Sequence, residues 1–192
     1  KSIENILSRL HVPTTEEERI RWHGKDKKEI LTHHIKNHIK NNEKNIIKTA
    51  EKWLIEDLTN QYLESNKAEL MDPSLPTFFN KLQFNGIKIG LNTGYPAPFQ
   101  KTIIDHFDLN KCIDAHISSE KVKYGRPYPY MIHRLMEECS ISNIKQVAKI
   151  GDTSNDMLEG RNAGCGLVIG VLSGASSETE LRNAGADVIL EN

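Results

Sequence analysis

Two carboxylates four residues apart follow an apolar run in segment 149–156, which reads Lys-Ile-Gly-Asp-Thr-Ser-Asn-Asp. The run predicts a buried strand ending at Gly151, followed by a helix whose first turn contains Asp156. Asp152 and Asp156 then converge at one edge of the sheet, and hard oxygen ligands with positions left for water and phosphate suit Mg²⁺. Alternatively, Asp152 is a turn residue and Asp156 complements the helix dipole. That alternative does not explain why both lie where parallel sheets bind ligands, so we predict a magnesium site on this pair.

Two other segments place polar groups after apolar runs. Thr93 and Gly94 follow the run 87–91, and the Thr93 hydroxyl with nearby backbone N–H groups can surround an anion. The same pair is equally typical of a turn that caps a helix. Arg126 stands before Pro127 at a predicted helix start, where a guanidinium can bind phosphate oxygens bidentately. An arginine there is otherwise an ordinary solvated loop residue.

The chain after residue 70 has the pattern of a sheet that could position these groups. Apolar runs alternate with helical patterns, which predicts a parallel sheet covered by helices on both faces. The apolar runs lie at 87–91, 112–117, 147–150, 166–171 and 187–190, and the helical patterns at 77–84, 96–107, 127–140, 155–163 and 177–184.

Residues 1–70 differ in texture, with one glycine, one proline and apolar residues at helical spacing. They predict a helical bundle. Pro73 and Pro76 would interrupt any helix that continues beyond residue 70. We therefore predict a helical domain over residues 1–70 and an α/β domain over 71–192.

Composition excludes several classes of partner. The chain has 25 Lys and Arg against 26 Asp and Glu, which indicates no nucleic-acid partner. It has no apolar run of membrane-spanning length and no signal-peptide pattern. Cys112, Cys139 and Cys165 show no paired spacing, which argues against a disulfide framework and a thiolate zinc site. Cys112 and Cys165 lie beside apolar stretches and are expected to be small core residues, and a reducing, cytoplasmic setting fits.

The segments around Thr93, Arg126 and Asp152, in this order, resemble motifs II, III and IV of the haloacid dehalogenase superfamily. Segment 22–27, Trp-His-Gly-Lys-Asp-Lys, is similar to the Gly-x-x-Lys loop of a cap domain. With segments 91–95, 125–129 and 170–175, the likeness covers most of the chain and favours the phosphonatase-like branch. It implies an α/β fold with a Rossmann-like three-layer core, a parallel sheet and an α-helical cap domain.

The resemblance also implies catalytic roles. Thr93 would hydrogen-bond the transferring phosphoryl group, and Arg126 would stabilise its charge. Asp152 would bind Mg²⁺ directly, with Asp156 supporting the metal or its waters. The reaction would be in-line attack by an aspartate on a small phosphate monoester, followed by hydrolysis of the aspartyl-phosphate.

Substrate contacts follow from the same resemblance. It implies that Gly24 and Lys27 of the cap loop, with Gly94 and Tyr95 after the motif II strand, bind a small phosphorylated metabolite. We expect no nucleic-acid or membrane partner, and either a monomer or a homodimer.

The family's first motif, a strand followed by the nucleophilic aspartate, has no counterpart in residues 1–20. In the family this strand lies between those ending at Thr93 and Asp152, so its loss would leave backbone groups unpaired. We expect it upstream of Lys1, in roughly 20 further residues. The alternative is a catalytically inactive binding or regulatory relative.

Two further alternatives concern lysine and histidine. Lys27 with a depressed pKa could form a Schiff base with an aldehyde, as in phosphonoacetaldehyde-type C–P hydrolases, although its neighbours Asp26 and Lys28 are polar. His34 and His38 have zinc-ligand spacing but no evident third ligand, and a solvated polar face is the expectation for this helix.

Overall fold

The computed structural model describes residues 2–22, 25–64 and 72–191. The chain forms two compact units that interleave along the sequence. The first comprises Lys1–Trp22, Lys27–Ile89 and Tyr95–Ile113, and the second comprises His23–Asp26, Gly90–Gly94 and Asp114–Asn192. The predicted boundary near residue 70 falls between described segments and stays a prediction.

The first unit is helical. Thr15 begins the second helix with a capping box: its hydroxyl accepts from the Glu18 amide, and the Glu18 carboxylate accepts from the Thr15 amide. A π-helical turn, Asn60–Glu64, continues the fourth helix. The helices are α1 (Ser2–Arg9), α2 (Glu16–Arg21), α3 (Lys27–His38), α4 (Glu43–Thr59), α5 (Leu75–Phe84) and α6 (Ala97–His106).

Apolar stripes on these helices form the core of the first unit. Leu31, Ile35 and Leu54 are fully buried, as their helical spacing predicts. His34 lies on the same buried side, so the expected solvated face is wrong for this residue. The buried members of the cluster are Ile3, Ile6, Leu7, Val12, Ile30, Leu31, Ile35, Ala50, Leu54, Leu58 and Phe99.

The second unit alternates strands and helices, which confirms the α/β fold class. All strand pairs are parallel, and α7, α8 and α9 pack along the strands. Met157 and Val168 are fully buried between α8 and β4. The elements are β1 (Gly90–Thr93), β2 (Ala115–Ser118), α7 (Tyr130–Glu138), β3 (Ala148–Gly151), α8 (Ser154–Ala163), β4 (Leu167–Val171), α9 (Glu178–Asn183) and β5 (Val188–Leu190).

The strands are divided between two sheets, β1–β2 and β3–β4–β5. Within residues 2–22, 25–64 and 72–191, no backbone ladder joins β1 to β3, where the sequence places the family's first strand. Ile150 of β3 is 57% exposed although it is apolar, whereas the neighbouring Lys149 is buried. A side-chain hydrogen bond from Lys149 of β3 to Asn92 of β1 links the two sheets.

In the described part of the chain, no helix combines the length and apolar character needed to cross a membrane.

Candidate active site

The turn from β3 into α8 directs Asp156 back toward the strand end. Thr153 caps the helix, because its hydroxyl accepts from the Asp156 amide at 3.3 Å. The same hydroxyl donates to Asp156 Oδ2 at 2.5 Å. A Cβ on Gly151 would stand 2.3 Å from the Asp156 Cβ, so a residue without a side chain is needed here. The predicted strand–turn–helix is therefore present, with Thr153 as its cap.

Arg126 and Asp156 form an ion pair between Nη1 and Oδ1, and both side chains are almost fully buried. Lys149 Nζ lies 2.8 Å from the same carboxylate oxygen. Burial alone raises the pKa of Asp156, but the charges of Lys149 and Arg126, with hydrogen bonds from Lys149 and Thr153, lower it to about 2. The carboxylate is thus charged at all ordinary pH values, and both of its oxygens accept hydrogen bonds.

A second buried carboxylate, that of Glu159, lies one turn further along α8. Lys149 Nζ is 3.1 Å from Glu159 Oε2, and Arg126 Nε is 3.9 Å from the same oxygen. Asn92 of β1 donates its amide to both Glu159 oxygens at 3.0 and 2.9 Å and accepts from Lys149 at 2.8 Å. We call Asn92, Arg126, Lys149, Asp156 and Glu159 the buried polar cluster; its members lie on β1, β3, α8 and the loop before α7.

Asp152 is the more accessible of the two predicted metal ligands. Its Oδ2 accepts from the Ala175 amide at 3.1 Å, and its backbone oxygen accepts from Ser176 at 3.1 Å. A Cβ on Gly174 would stand 1.9 Å from Asp152 Oδ2, so the loop after β4 approaches the carboxylate closely because Gly174 has no side chain. The described residues contain no group of three or more His, Cys, Asp or Glu side chains suited to hold a metal ion.

Two glycines, one directly after β1 and one in the loop before α7, lie close to the segment Lys25–Asp26, which belongs to the same second unit. A Cβ on Gly94 would stand 2.5 Å from the Lys25 carbonyl oxygen. A Cβ on Gly125 would meet Ser119 at 3.0 Å and the Asp26 Cβ at 3.4 Å. The end of the loop that resembles a cap motif therefore packs on backbone beside Thr93 and Arg126.

Lys27 and Tyr95 lie together in the first unit. Lys27 Nζ donates to the Trp22 carbonyl at 3.3 Å and lies 5.8 Å from the centre of the Tyr95 ring. Tyr95 in turn packs edge-on against Phe99, with ring centres 5.3 Å apart. Gly24 lies outside the described residues.

The structure brings Arg126 and Asp156 into contact, with Asp152 on the same turn as Asp156. Thr93 ends the strand that carries Asn92, and its register partner is Ser118 of β2. Sequence reasoning gave no role to Lys149 or Glu159. A charged residue inside the apolar strand Ala148–Gly151, and an acid three residues beyond Asp156 on one helix face, were the available signals.

The chain belongs to the haloacid dehalogenase-like hydrolase family, whose model matches residues 5–164. It is 35% identical over 126 residues to the phosphonoacetaldehyde hydrolase of Syntrophobacter fumaroxidans, a match that covers 65% of this chain and 44% of that protein. It is 32% identical over 147 residues to the phosphonoacetaldehyde hydrolase of Parabacteroides distasonis, covering 70% and 56%. The chain spans about half the length of the curated relatives it matches.

Solved structures show the same fold. A phosphonoacetaldehyde hydrolase like protein from Oleispira antarctica superposes with a TM-score of 0.77 at 20% identity, covering 98% of this chain and 79% of that one. A β-phosphoglucomutase from Clostridium difficile superposes with a TM-score of 0.76 at 14% identity, covering 99% and 81%. The solved structures show the fold, whereas the family model and the curated relatives confirm the family and the phosphonatase-like resemblance seen in the sequence.

Proposed function

We propose that the protein is a Mg²⁺-dependent phosphohydrolase that cleaves a small phosphorylated metabolite through an aspartyl-phosphate. The observation that carries this proposal is the ion pair between Arg126 and Asp156, beside Asp152 at the carboxyl end of β3. In parallel α/β sheets this edge binds ligands. Arg126 would bind the phosphoryl oxygens, and Thr93 would donate a hydrogen bond to them from the end of β1.

Asp152 fits Mg²⁺ as a hard oxygen donor at a partly exposed strand end, while Asp156 supports it through the ordered turn. The ion would supply positive charge beside the transferring phosphoryl group. Both Asp156 oxygens are occupied by hydrogen bonds from Arg126, Lys149 and Thr153, which favours Asp152 as the direct ligand. Further ligands would come from water, the substrate and the nucleophile's carboxylate.

We also propose that the nucleophilic aspartate is carried by a strand that pairs between β1 and β3. The edges of β1 and β3 that face away from β2 and β4 support this, as does the exposure of Ile150. In-frame coding sequence upstream of Lys1 can be read for an apolar strand followed by Asp. If no such motif is found in the gene or in an associated chain, the inactive-relative alternative is favoured instead.

Substrate contacts are proposed for Gly24, Lys27, Gly94 and Tyr95. The packing of segment Lys25–Asp26 on Gly94 supports placing the loop beside the motif II strand end.

The state of assembly, monomer or homodimer, stays a prediction. A reducing, cytoplasmic setting is supported by three free cysteines, two of them buried.

The test uses the full gene product and a panel of phosphate monoesters, with and without Mg²⁺. Turnover should require Mg²⁺ and should fall by about 10²-fold or more in Asp152→Ala, because charge stabilisation at the phosphoryl group is lost. Asp108→Ala, on an exposed turn of the first unit, is the control for an acidic residue removed elsewhere. Equal turnover by wild type and Asp152→Ala would contradict the assignment of the metal site.

A second candidate function is carbon–phosphorus cleavage through a Schiff base on Lys27. It is favoured by the names of the two curated relatives and by the position of Lys27 over the Tyr95 ring. Borohydride trapping with phosphonoacetaldehyde should then give a covalent adduct that Lys27→Arg abolishes and Lys28→Arg retains. Absence of any adduct removes this candidate.

A further inference from the structure

The buried polar cluster contains two charged residues, Lys149 and Glu159, that have no role in the proposed reaction. Glu159 is fully buried, and Lys149 is 7% exposed. Neither lies at a strand end or has a role in the motifs. Together with Arg126 and Asp156 they form two cations and two anions, so the cluster is electrically balanced.

Balance does not explain why the charges are there. Moving ions out of water is costly, and a buried ion pair is often no more stabilising than apolar residues of the same volume. Apolar side chains at positions 149 and 159 could fill the same volume between β3 and α8, a helix that already buries the apolar Met157 completely. What a charged cluster adds is fixed orientation of its members.

The orientation it fixes is that of Arg126. Asp156 accepts from Nη1, and the Glu159 carboxylate lies 3.9 Å from Nε, so the guanidinium has an acid on two of its sides. Arg126 Nε is buried and has no hydrogen-bond partner among the described residues, so the Glu159 charge acts there without a direct bond. The Lys149 ammonium forms ion pairs with both carboxylates.

Asn92 extends the cluster to the neighbouring strand. Its amide is bonded to Glu159 and Lys149, and the next residue along β1 is Thr93. Side-chain hydrogen bonds thereby link the carboxyl end of β1 to α8. A shift of α8 would move Arg126 and the Thr93 end of β1 together.

We propose that Glu159 and Lys149 are positioning residues, which hold the Arg126 guanidinium at the angle needed to bind a phosphoryl group and, through Asn92, set its distance from Thr93. This rests on the proposed function, in which Arg126 binds phosphoryl oxygens. A guanidinium has five N–H donors, so the bond to Asp156 leaves others for the substrate. Neither Glu159 nor Lys149 touches substrate in this proposal.

The test compares Glu159→Gln with Glu138→Gln in the full gene product. Both changes remove one negative charge from a helix, but Glu138 lies exposed on α7 beside Arg134. In Glu159→Gln, kcat for a phosphate monoester should fall about 10-fold or more, as expected when a catalytic group is misplaced. Glu138→Gln should match wild type. Asn92→Ser, which cuts the tie to β1 without removing a charge, is the second variant if Glu159→Gln does not fold.

Measuring the effect of Glu159→Gln in an Arg126→Ala background distinguishes a positioning role of Glu159 from a general loss of structure. If Glu159 acts through Arg126, then Glu159→Gln should lower kcat by less than about twofold when Arg126 is already absent. An equal loss in both backgrounds would overturn the proposal, since the effect would not pass through Arg126.

A measurement that does not depend on turnover tests the positioning role of Glu159 separately from the proposed phosphohydrolase activity. Rotation about the Arg126 Cζ–Nε bond, followed by ¹⁵N NMR, should be slow in wild type and in Glu138→Gln, and faster in Glu159→Gln. Equal rotation rates overturn the positioning role whether or not the protein turns over substrate. Absence of turnover in wild type overturns the proposed function, and the NMR result then decides the positioning of Arg126 by itself.

Discussion

The ammonium of Lys149 donates to the amide oxygen of Asn92 at 2.8 Å, which joins strand β3 to strand β1. The two strands share no backbone ladder among the described residues, and Asn92 also bonds to Glu159 on the neighbouring helix α8. The ammonium of Lys149 is thus a buried charge within the second unit. The charge is tolerated because Asp156 and Glu159 both lie within about 3 Å of it.

Removing that cation should be strongly destabilising. In Lys149→Met, Arg126 alone would remain to balance two buried carboxylates, and breaking a buried ion pair from one side costs about 3–5 kcal/mol. Urea unfolding at neutral pH measures this loss. Lys111→Met removes an exposed lysine paired with Asp108 and should change the free energy of unfolding by less than about 0.5 kcal/mol. A loss below about 1 kcal/mol in Lys149→Met would show that the cluster is open to water.

Acid should weaken the fold through Asp156. Its pKa is lowered from 3.8 to about 2, so the unfolded chain binds the proton more readily than the folded protein does. The stability from this carboxylate is therefore complete above pH 3.8 and is lost as pH falls through about 2. The difference corresponds to about 2 kcal/mol, since one pKa unit is worth 1.36 kcal/mol.

This contribution can be isolated by urea unfolding between pH 5 and pH 2. The free-energy difference between wild type and Asp156→Asn should shrink by about 2 kcal/mol over that interval. Asp108→Asn, on an exposed turn, serves as the matched control. A constant difference between wild type and Asp156→Asn would mean that the ion pairs with Arg126 and Lys149 do not persist in solution.

Gly174 should be needed for the geometry of Asp152. An added Cβ would stand 1.9 Å from Asp152 Oδ2 and 2.3 Å from the Asp152 Cβ, an overlap that Gly174→Ala can relieve only by moving the loop or the carboxylate. If Asp152 binds the metal, Gly174→Ala should raise the Mg²⁺ concentration for half-maximal turnover by about 10-fold or more. Gly90→Ala is the control, because its Cβ would meet only the flexible Leu135 side chain at 3.2 Å. Identical Mg²⁺ titrations for wild type and Gly174→Ala would contradict the role of Asp152.

Local patterns were enough to predict the elements that hold the site. The strand Ala148–Gly151 and the helix Ser154–Ala163 agree closely with their predicted ranges, because an apolar run, a glycine and a capping hydroxyl are neighbours in sequence. The first core strand is less well predicted. It is Gly90–Thr93 rather than 87–91, since pairing with β2, not apolar character, sets its limits, and Ile87 is exposed.

Long-range pairing was beyond these patterns. Asn92 meets Lys149 and Glu159 across 57 and 67 residues of sequence, and no periodicity encodes such a contact. The direct ion pair between Arg126 and Asp156 was not predicted, because the resemblance gave Arg126 a phosphoryl group as its partner and Asp156 the metal or its waters. The interleaving of the two units, in which β1 belongs to one unit and the flanking α5 and α6 to the other, likewise depends on tertiary packing.

His34 was expected on a solvated face, and its burial has a consequence for pH dependence. The residue is 3% exposed, its Nδ1 has no hydrogen-bond partner among the described residues, and its ring packs on Trp22 and His38. Burial lowers the pKa of His34 below 6.5, opposed by the charge of Glu18 on α2 and assisted by the neighbouring histidines His33 and His38.

The neutral form is therefore favoured in the folded protein, and the unfolded chain binds more protons below pH 6.5. The free energy of unfolding should fall as pH is lowered from 6.5 toward the depressed pKa. His34→Leu should remove this part of the slope, and should also stabilise the protein at pH 8, because a buried polar atom without a partner is replaced by an apolar group. His106→Leu, at the exposed end of α6, is the control, because His106 is not among the groups that shift the His34 pKa. Parallel stability-against-pH curves for wild type and His34→Leu between pH 5 and pH 8 would mean that His34 is hydrated in solution.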